Sequence, residues 1–423
     1  MSRPMKDSGI EWIGEIPQEW ETDRLQWHLE EIKVINSPKQ TEQVLSLTIE
    51  AGVIPYEEKG NQGNKAKENY EEYKLAYPDT LVVNSMNIII GAVGISNYFG
   101  CVSPVYYVFK VKETDDIRYI YYLFTNTGIQ KEMRKYAKGI LEIRLRISAS
   151  DMLKLSVPLP PLAEQRRIAD FLDRKSAEID TVIKKTEKSI EEYNKLKQSI
   201  ISEAVTKGIR PNRKMKPSGI EWIKEIPVEW NSIAPKALFS LRKEKALPGE
   251  KQLTASQQYG VVFQDEFMSL TGSKVVTVEK DFDILKHVEA GDFVISMRSF
   301  QGGIEYSQST GSISSAYVML IPNLNKVFPR FYKWLLKSEM YINALQSTSN
   351  LVRDGQAMRY SNFAQVRLYD IPINEQKEIA DFLDRKSADI DKLIESKQKL
   401  LEEMQTYKKS VIYEYVTGKK EVS

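Results

Sequence analysis

The 423 residues predict a mixed α+β protein: two globules separated by two long antiparallel helices that pair as a coiled coil, with an approximate twofold axis. Three observations carry this reading. First, the chain says nearly the same thing twice. KDSGIEWIGEIPQEW begins at Lys6 and KPSGIEWIKEIPVEW at Lys216, while EQRRIADFLDRKSAEID begins at Glu164 and EQKEIADFLDRKSADID at Glu375. A repeat of about 210 residues is a duplicated domain rather than a short-period solenoid. Second, each copy contains a long stretch free of Gly and Pro with apolar residues at helical spacing. Third, the segments between these stretches mix short β-like runs with Gly, Asn and Ser turns.

The elements follow in order. Residues 1–157 form the first globule. Its β-like run Leu81-Val82-Val83 and the helical stretch Ile117–Tyr136 fit an α+β unit of normal domain size. Residues 158–210 form a central helical spacer. Pro158, Pro160 and Pro161 force extended backbone before it, and Gly208 and Pro211 stop it. Between them Ile168, Leu172, Ile179, Ile183, Ile190, Tyr193, Leu196 and Ile200 recur close to a heptad seam. Residues 211–370 form the second globule, with β-like runs Phe293–Ile295 and Tyr317–Ile321 and a helical stretch Pro329–Leu345. Residues 371–423 form a distal helical spacer with Ile379, Leu383, Ile390, Ile394, Leu401, Met404 and Val411 on its seam. The cheapest cover for one seam is the other, laid antiparallel. The globules share only a skeleton (Met86 with Met297, Gly91 with Gly302, Tyr106 with Tyr317), whereas the helical stretches stayed alike. Two unlike globules about a twofold suit a duplex, whose strands are themselves related by twofold axes.

Composition narrows the function classes. No run of about 18 apolar residues is present, so no membrane span is expected. The start, MSRPMKDSGIEW, has no apolar signal core. The single cysteine, Cys101, excludes an internal disulfide and fits a reducing cytoplasm. A net charge of +2 means any nucleic acid must be held by local patches or with another subunit's help. There is no GxxxxGK[ST] loop and no Asn/Asp-Pro-Pro-Tyr/Phe quartet for methyl transfer. His28 and His287 cannot form a ligand cluster with Cys101 alone. No catalytic residue and no metal site is expected. Most carboxylates read as solvated helix faces.

The stretches PLPPLAEQRRIADFLDRKSAEID at 158–180 and IPINEQKEIADFLDRKSADID at 371–391 resemble the central and distal helical regions of Type I restriction-modification specificity subunits. GIEWIGEIPQEW and GIEWIKEIPVEW resemble that family's lead-in to a target-recognition domain, and GDFVISMRSFQGGIEYSQSTGSISSAY at 291–317 resembles the core of one. The resemblance implies two target-recognition domains reading double-stranded DNA without catalysis of their own. It implies two adenine-methyltransferase subunits and two restriction and translocation subunits as partners. S-adenosylmethionine, ATP and magnesium would be bound by those partners and not by this chain.

Candidate DNA contacts follow from residue type and position. Arg298, Ser299 and Gln301 lie where a strand-like run exits into glycines, and Arg and Gln suit bidentate contacts to guanine and adenine edges. Asn87 is the matched residue of the first globule. A changed side chain at a matched position is what a changed half-site requires. Lys131, Arg134, Lys135, Lys138, Arg144 and Arg146 cluster in the first globule, with Arg353 and Arg359 in the corresponding region of the second. These suit phosphates, which position without reading sequence. Trp12, Trp20, Trp222 and Trp230 suit either base stacking or anchoring of globule to helix. They sit in a segment that did not diverge, which favours anchoring. The identical DFLDRK copies suggest partner docking through Asp173, Arg174, Asp384 and Arg385, against plain helix packing. Rival readings are a non-catalytic coiled-coil scaffold for proteins and a fused methyltransferase or nuclease, the latter disfavoured by the missing motifs.

Overall fold

Leucine and valine at every position from Leu81 to Val83 need burial on both sides of a sheet. They receive it in a computed structural model that describes residues 3–60, 69–138, 145–275, 284–296, 302–348 and 358–422. The chain divides into two units, Met1–Glu187 with Lys399–Ser423, and Lys188–Gln398.

The first unit is built on a four-stranded antiparallel sheet. Its strands are β1 (Leu29–Glu31), β2 (Thr80–Asn84), β3 (Val93–Ser96) and β4 (Tyr106–Val111), in the order β1-β4-β2-β3. Val108 pairs with Val82, and Phe109 with both Leu81 and Glu31. Successive side chains alternate faces. Leu81, Val83 and Phe109 pack with Ile120, Leu123, Ile129 and Met133. Val82 and Val108 pack on the opposite face with Leu45, Leu47 and Val53. The helices are α1 (Ile117–Thr125), α2 (Thr127–Tyr136), α3 (Ala149–Leu153) and the long α4 (Leu162–Lys207). The expected single stretch from Ile117 to Tyr136 is two helices. Asn126 is extended and its Oδ1 accepts from Gly128 N at 2.6 Å, which ends α1 and starts α2.

The second unit repeats this plan. Strands β5 (Phe239–Leu241), β6 (Phe293–Ile295), β7 (Glu305–Tyr306) and β8 (Val318–Pro322) lie in the order β5-β8-β6-β7. Phe293 and Ile295 face Phe239, Phe331, Tyr332 and Leu335, while Val294 faces Leu253, Val261 and Met319. The helices are α5 (Gln264–Thr271), α6 (Pro329–Leu335), α7 (Glu339–Ser347), α8 (Tyr360–Gln365) and the long α9 (Ile373–Val416). The stretch from Pro329 is again divided, here by Ser338, whose hydroxyl donates to Leu335 O at 2.7 Å and accepts from Tyr341 N.

Each globule leads into its long helix through a short antiparallel pair. Ser156–Leu159 pairs with Glu21–Arg24, and Leu368–Asp370 with Asn231–Ile233. The extended backbone expected at Pro158 is the first of these strands. Gly208 and Gly418, both left-handed with φ of 74° and 71°, follow the two long helices. Within the first unit the start of α4 runs antiparallel to the end of α9. Phe171 stacks on Tyr415 at 4.3 Å, and Asp180 meets Lys408 at 2.7 Å. Within the second unit the end of α4 runs antiparallel to the start of α9. Lys197 meets Asp391 at 2.7 Å, and Lys397 lies 5.6 Å from the Tyr193 ring.

Candidate nucleic-acid interface and its mounting

In the first globule β2 ends at Asn84, whose Oδ1 accepts from Met86 N at 3.0 Å. The chain then turns through Asn87 into a single 3-10 turn, Ile88–Ile90, closed by Gly91 at φ 89°. This turn is seated on α2: Ile88 shares a core with Ile129 and Met133, and a Cβ at Gly91 would stand 3.0 Å from Gln130 Nε2. α2 buries that apolar stripe and turns Lys131, Arg134 and Lys135 outward. Lys135 pairs with Glu132 at 2.8 Å and with Glu11 at 3.1 Å. Glu132 first, and then Glu11, holds its ammonium above the usual range. Lys138 and Arg146 exchange backbone hydrogen bonds of 2.7 and 2.9 Å. Among the described residues this pairing is an isolated bridge. Ile147 N in turn donates to Ser85 O at 3.2 Å, two residues before Asn87. Asn87, Lys131, Arg134, Lys135, Lys138 and Arg146 are thus one neighbourhood, gathered at the exit of the central strand. Arg144 lies outside the described residues.

In the second globule the matching strand is β6, which ends at Ile295. Arg298, Ser299, Gln301 and Arg353 lie outside the described residues. Arg359 is exposed at the start of α8, where its backbone N donates to Asn362 Oδ1 at 3.0 Å. Among the described residues no three His, Cys, Asp or Glu side chains converge as a metal site. Cys101 is buried, and burial pushes its thiol up to about 11.

The repeated motifs meet where each globule joins its helix. Trp20 and Trp230 are fully buried. Trp20 Nε1 donates to Glu164 Oε2 at 3.0 Å, and Trp230 Nε1 to Glu375 Oε2 at 3.2 Å. The same carboxylates take a bidentate guanidinium. Arg3 reaches Glu164 at 2.6 and 2.9 Å, and Arg213 reaches Glu375 with both terminal nitrogens. Each guanidinium also lies over the indole, at 5.6 and 5.4 Å, and pairs with Glu19 or Glu229. Glu164 and Glu375 hold Arg3 and Arg213 above the usual guanidinium range. Trp20 and Trp230 thus join globule to helix, the reading that their undiverged setting favoured. Glu164 and Glu375 are exceptions to the reading that most helix carboxylates are solvated: both are buried, with their charge matched inside the fold.

The adjacent residues, Gln165 and Gln376, do similar work. Gln165 Nε2 donates to Asp115 and Pro160, and its Oε1 accepts from Asp116 N, the N-cap of α1. Gln376 likewise donates to Lys326 O and Ile371 O and accepts from Phe328 N, the N-cap of α6. Arg118 pairs with Asp170 at 2.6 Å and Asp173 at 2.9 Å, and Tyr122 donates to Asp173 at 2.8 Å. Arg330 pairs with Asp381 at 3.0 Å and also with Asp384, to which Trp334 donates at 2.8 Å. Two of the four candidate docking residues, Asp173 and Asp384, are therefore engaged by their own globules. The other two, Arg174 and Arg385, are exposed, Arg174 over the Phe171 ring at 5.9 Å and Arg385 donating to Asp381 O at 3.2 Å.

Sequence reasoning missed Arg3 and Arg213, although a signal existed. The repeat frame extends back through Met5 and Met215 to these arginines, 210 positions apart. Arg118 and Arg330 are 212 apart, outside the frame that aligns the rest of the globules.

The family model for the Type I restriction modification DNA specificity domain matches residues 18–192. A protein of Methanocaldococcus jannaschii named for the specificity subunit of the type I restriction enzyme MjaX is 27% identical, over 96% of this chain and 95% of its own length. A chain from a structure of the type I R-M system, solved to explain its complex assembly and conformational transition, has a TM-score of 0.69 at 13% identity and covers 95% of this chain and 98% of its own. The HsdS subunit from Thermoanaerobacter tengcongensis has a TM-score of 0.50 at 13% identity, covering 96% of this chain and 98% of its own. At that identity the two structures speak for the fold alone, and the sequence matches speak for the family. With the duplicated globules and their repeated mounting, they make this chain similar along its whole length to the Type I restriction-modification specificity subunits, with residues 18–192 matching that family's DNA specificity domain.

Proposed function

We propose that this specificity subunit reads an asymmetric, two-part sequence in double-stranded DNA, one part per globule, and performs no catalysis itself. It directs adenine methylation by two methyltransferase subunits, and restriction by two further subunits that hydrolyse ATP. S-adenosylmethionine, ATP and magnesium belong to those partners. The complex works in the cytoplasm; no helix among the described residues is long and apolar enough to cross a membrane.

The observation that carries this reading is a contrast. The two globules share a sheet order and the same mounting, yet three positions in sequence after the matched strands end at Asn84 and Ile295, one copy has Asn87 and the other Arg298. Asn suits adenine and Arg suits guanine in the major groove. Base readers are the side chains that must change between half-sites, and a mounting is what must not. The cations beside Asn87 suit phosphates flanking the read bases. Asp173, Arg174, Asp384 and Arg385 remain the proposed docking surface for methyltransferase subunits, with Arg174 and Arg385 as its outward charges.

Mapping methylated adenines across the host genome, with and without this gene, tests the proposal. The expected result is one motif of two unlike half-sites separated by unspecified bases, lost with the gene. A continuous motif, or a perfect palindrome, refutes it.

A further inference from the structure

Resting on that reading, we infer that Glu164 and Glu375 are positioning residues. Each holds its globule at one angle on its long helix, and so fixes the spacing at which the half-sites are read.

Three observations support a positioning role beyond simple attachment. The first is geometric. One carboxylate accepts from an indole N–H and from two guanidinium nitrogens, while the guanidinium covers the indole face. These are planar, directional contacts that define an orientation. The apolar contacts around them (Ile168 and Leu172, Ile379 and Leu383) are non-directional and would tolerate a tilt. The second is recurrence. The Arg, Glu, Trp and helix Glu of the joint are the same four residue types in both units, although the globules diverged at most other positions. The third is that the joint gathers more than two elements. Gly418, after α9, lies over the first joint, where a Cβ would stand 3.1 Å from Trp20 Cη2. Gly208, after α4, lies over the second, where a Cβ would stand 2.9 Å from Arg213 Nη1 and 3.1 Å from Glu375 Oε1. In each unit, then, the globule and the start of one long helix meet at the carboxylate, and the end of the other long helix lies against the same joint, on Pro17 and Trp20 in the first and on Arg213 and Glu375 in the second.

A buried charged cluster of this kind is costly to desolvate, and its best-attested use is to specify register. Register matters here because base pairs are stacked about 3.4 Å apart. A tilt that moves the reading edge by that distance offers the globule the neighbouring base pair.

The test maps methylation in a host carrying all partner subunits, with wild type, E164Q, E164A, R3M, E375Q and E375A. E164Q keeps an acceptor for Trp20 but removes the charge matched to Arg3, and R3M removes only the guanidinium. The expected result is unchanged bases in both half-sites with a relaxed gap. Sites one base pair longer or shorter gain methylation at least tenfold over wild type, more in E164A than in E164Q. A single unchanged gap in every accumulating variant, with methylation merely reduced, makes the joint structural and overturns the inference. If the alanine variants fail to accumulate, E164Q, E375Q and R3M decide alone. If wild type itself lacks a two-part motif, the functional reading fails first, and the inference falls with it.

Discussion

At Asn87 and Arg298 one matched position of the sequence carries two different hydrogen-bonding heads, the kind of difference that the proposed readout requires. Arg298→Ala is expected to lower discrimination at one half-site by about 1–3 kcal/mol, the worth of a bidentate base contact. The other half-site should keep its preference. Binding measured on duplexes varied one half at a time, with the partner subunits present, checks this. Equal weakening on all sequences would make Arg298 a phosphate contact. Residue type was enough to suggest Asn87 and Arg298, because base edges accept few side chains. It was not enough for Glu164, which by composition looks like the other carboxylates of the long helices. Only the approach of Arg3 and Trp20, 161 and 144 positions away in the chain, makes that carboxylate buried and bound.

At the scale of elements the long helices were the most legible feature. The helical spacer expected within residues 158–210 is a helix from Leu162 to Lys207, because bounding prolines and glycine leave little choice of ends. The shorter helices were less legible. Apolar periodicity runs straight through Asn126, and nothing in the pattern says that its side chain will cap the following turn instead of continuing α1. The helices also carry a prediction. Each inserted residue adds ~1.5 Å of helix, so a heptad adds roughly 10 Å, about three base pairs. Heptads inserted after Lys188 and after Lys399, each one residue past a division between the two units, should lengthen the gap by about three base pairs and leave both half-sites intact. Methylation mapping reads this directly, and altered half-sites with an unaltered gap would show that the helices are not the ruler.

At the scale of the whole molecule the duplication predicts paired partners. Arg174 and Arg385 are equivalent, exposed and free of the globule contacts that engage Asp173 and Asp384. Arg174→Glu should cost the assembly one methyltransferase subunit, Arg385→Glu the other, and the double change both. Native mass measurement counts them. A full assembly with the double change would assign these arginines to the helix surface alone. Restricting the changes to arginine is essential, since reversing Asp173 or Asp384 would first break the joint with Arg118 or Arg330.

What the sequence determined by itself was the duplication, the helix-rich spacers, the α+β globules and the family they resemble. These are written in local patterns: spacing of apolar residues, positions of Pro and Gly, and two near-identical strings. What only the tertiary structure decided was which identical residues serve the globule and which face outward. In DFLDRK both aspartates turn to their own globule and the arginine does not, a distinction of about 100° per residue around a helix. Identity between copies records that a residue is constrained. The contact that constrains it exists only once distant parts of the chain have folded together.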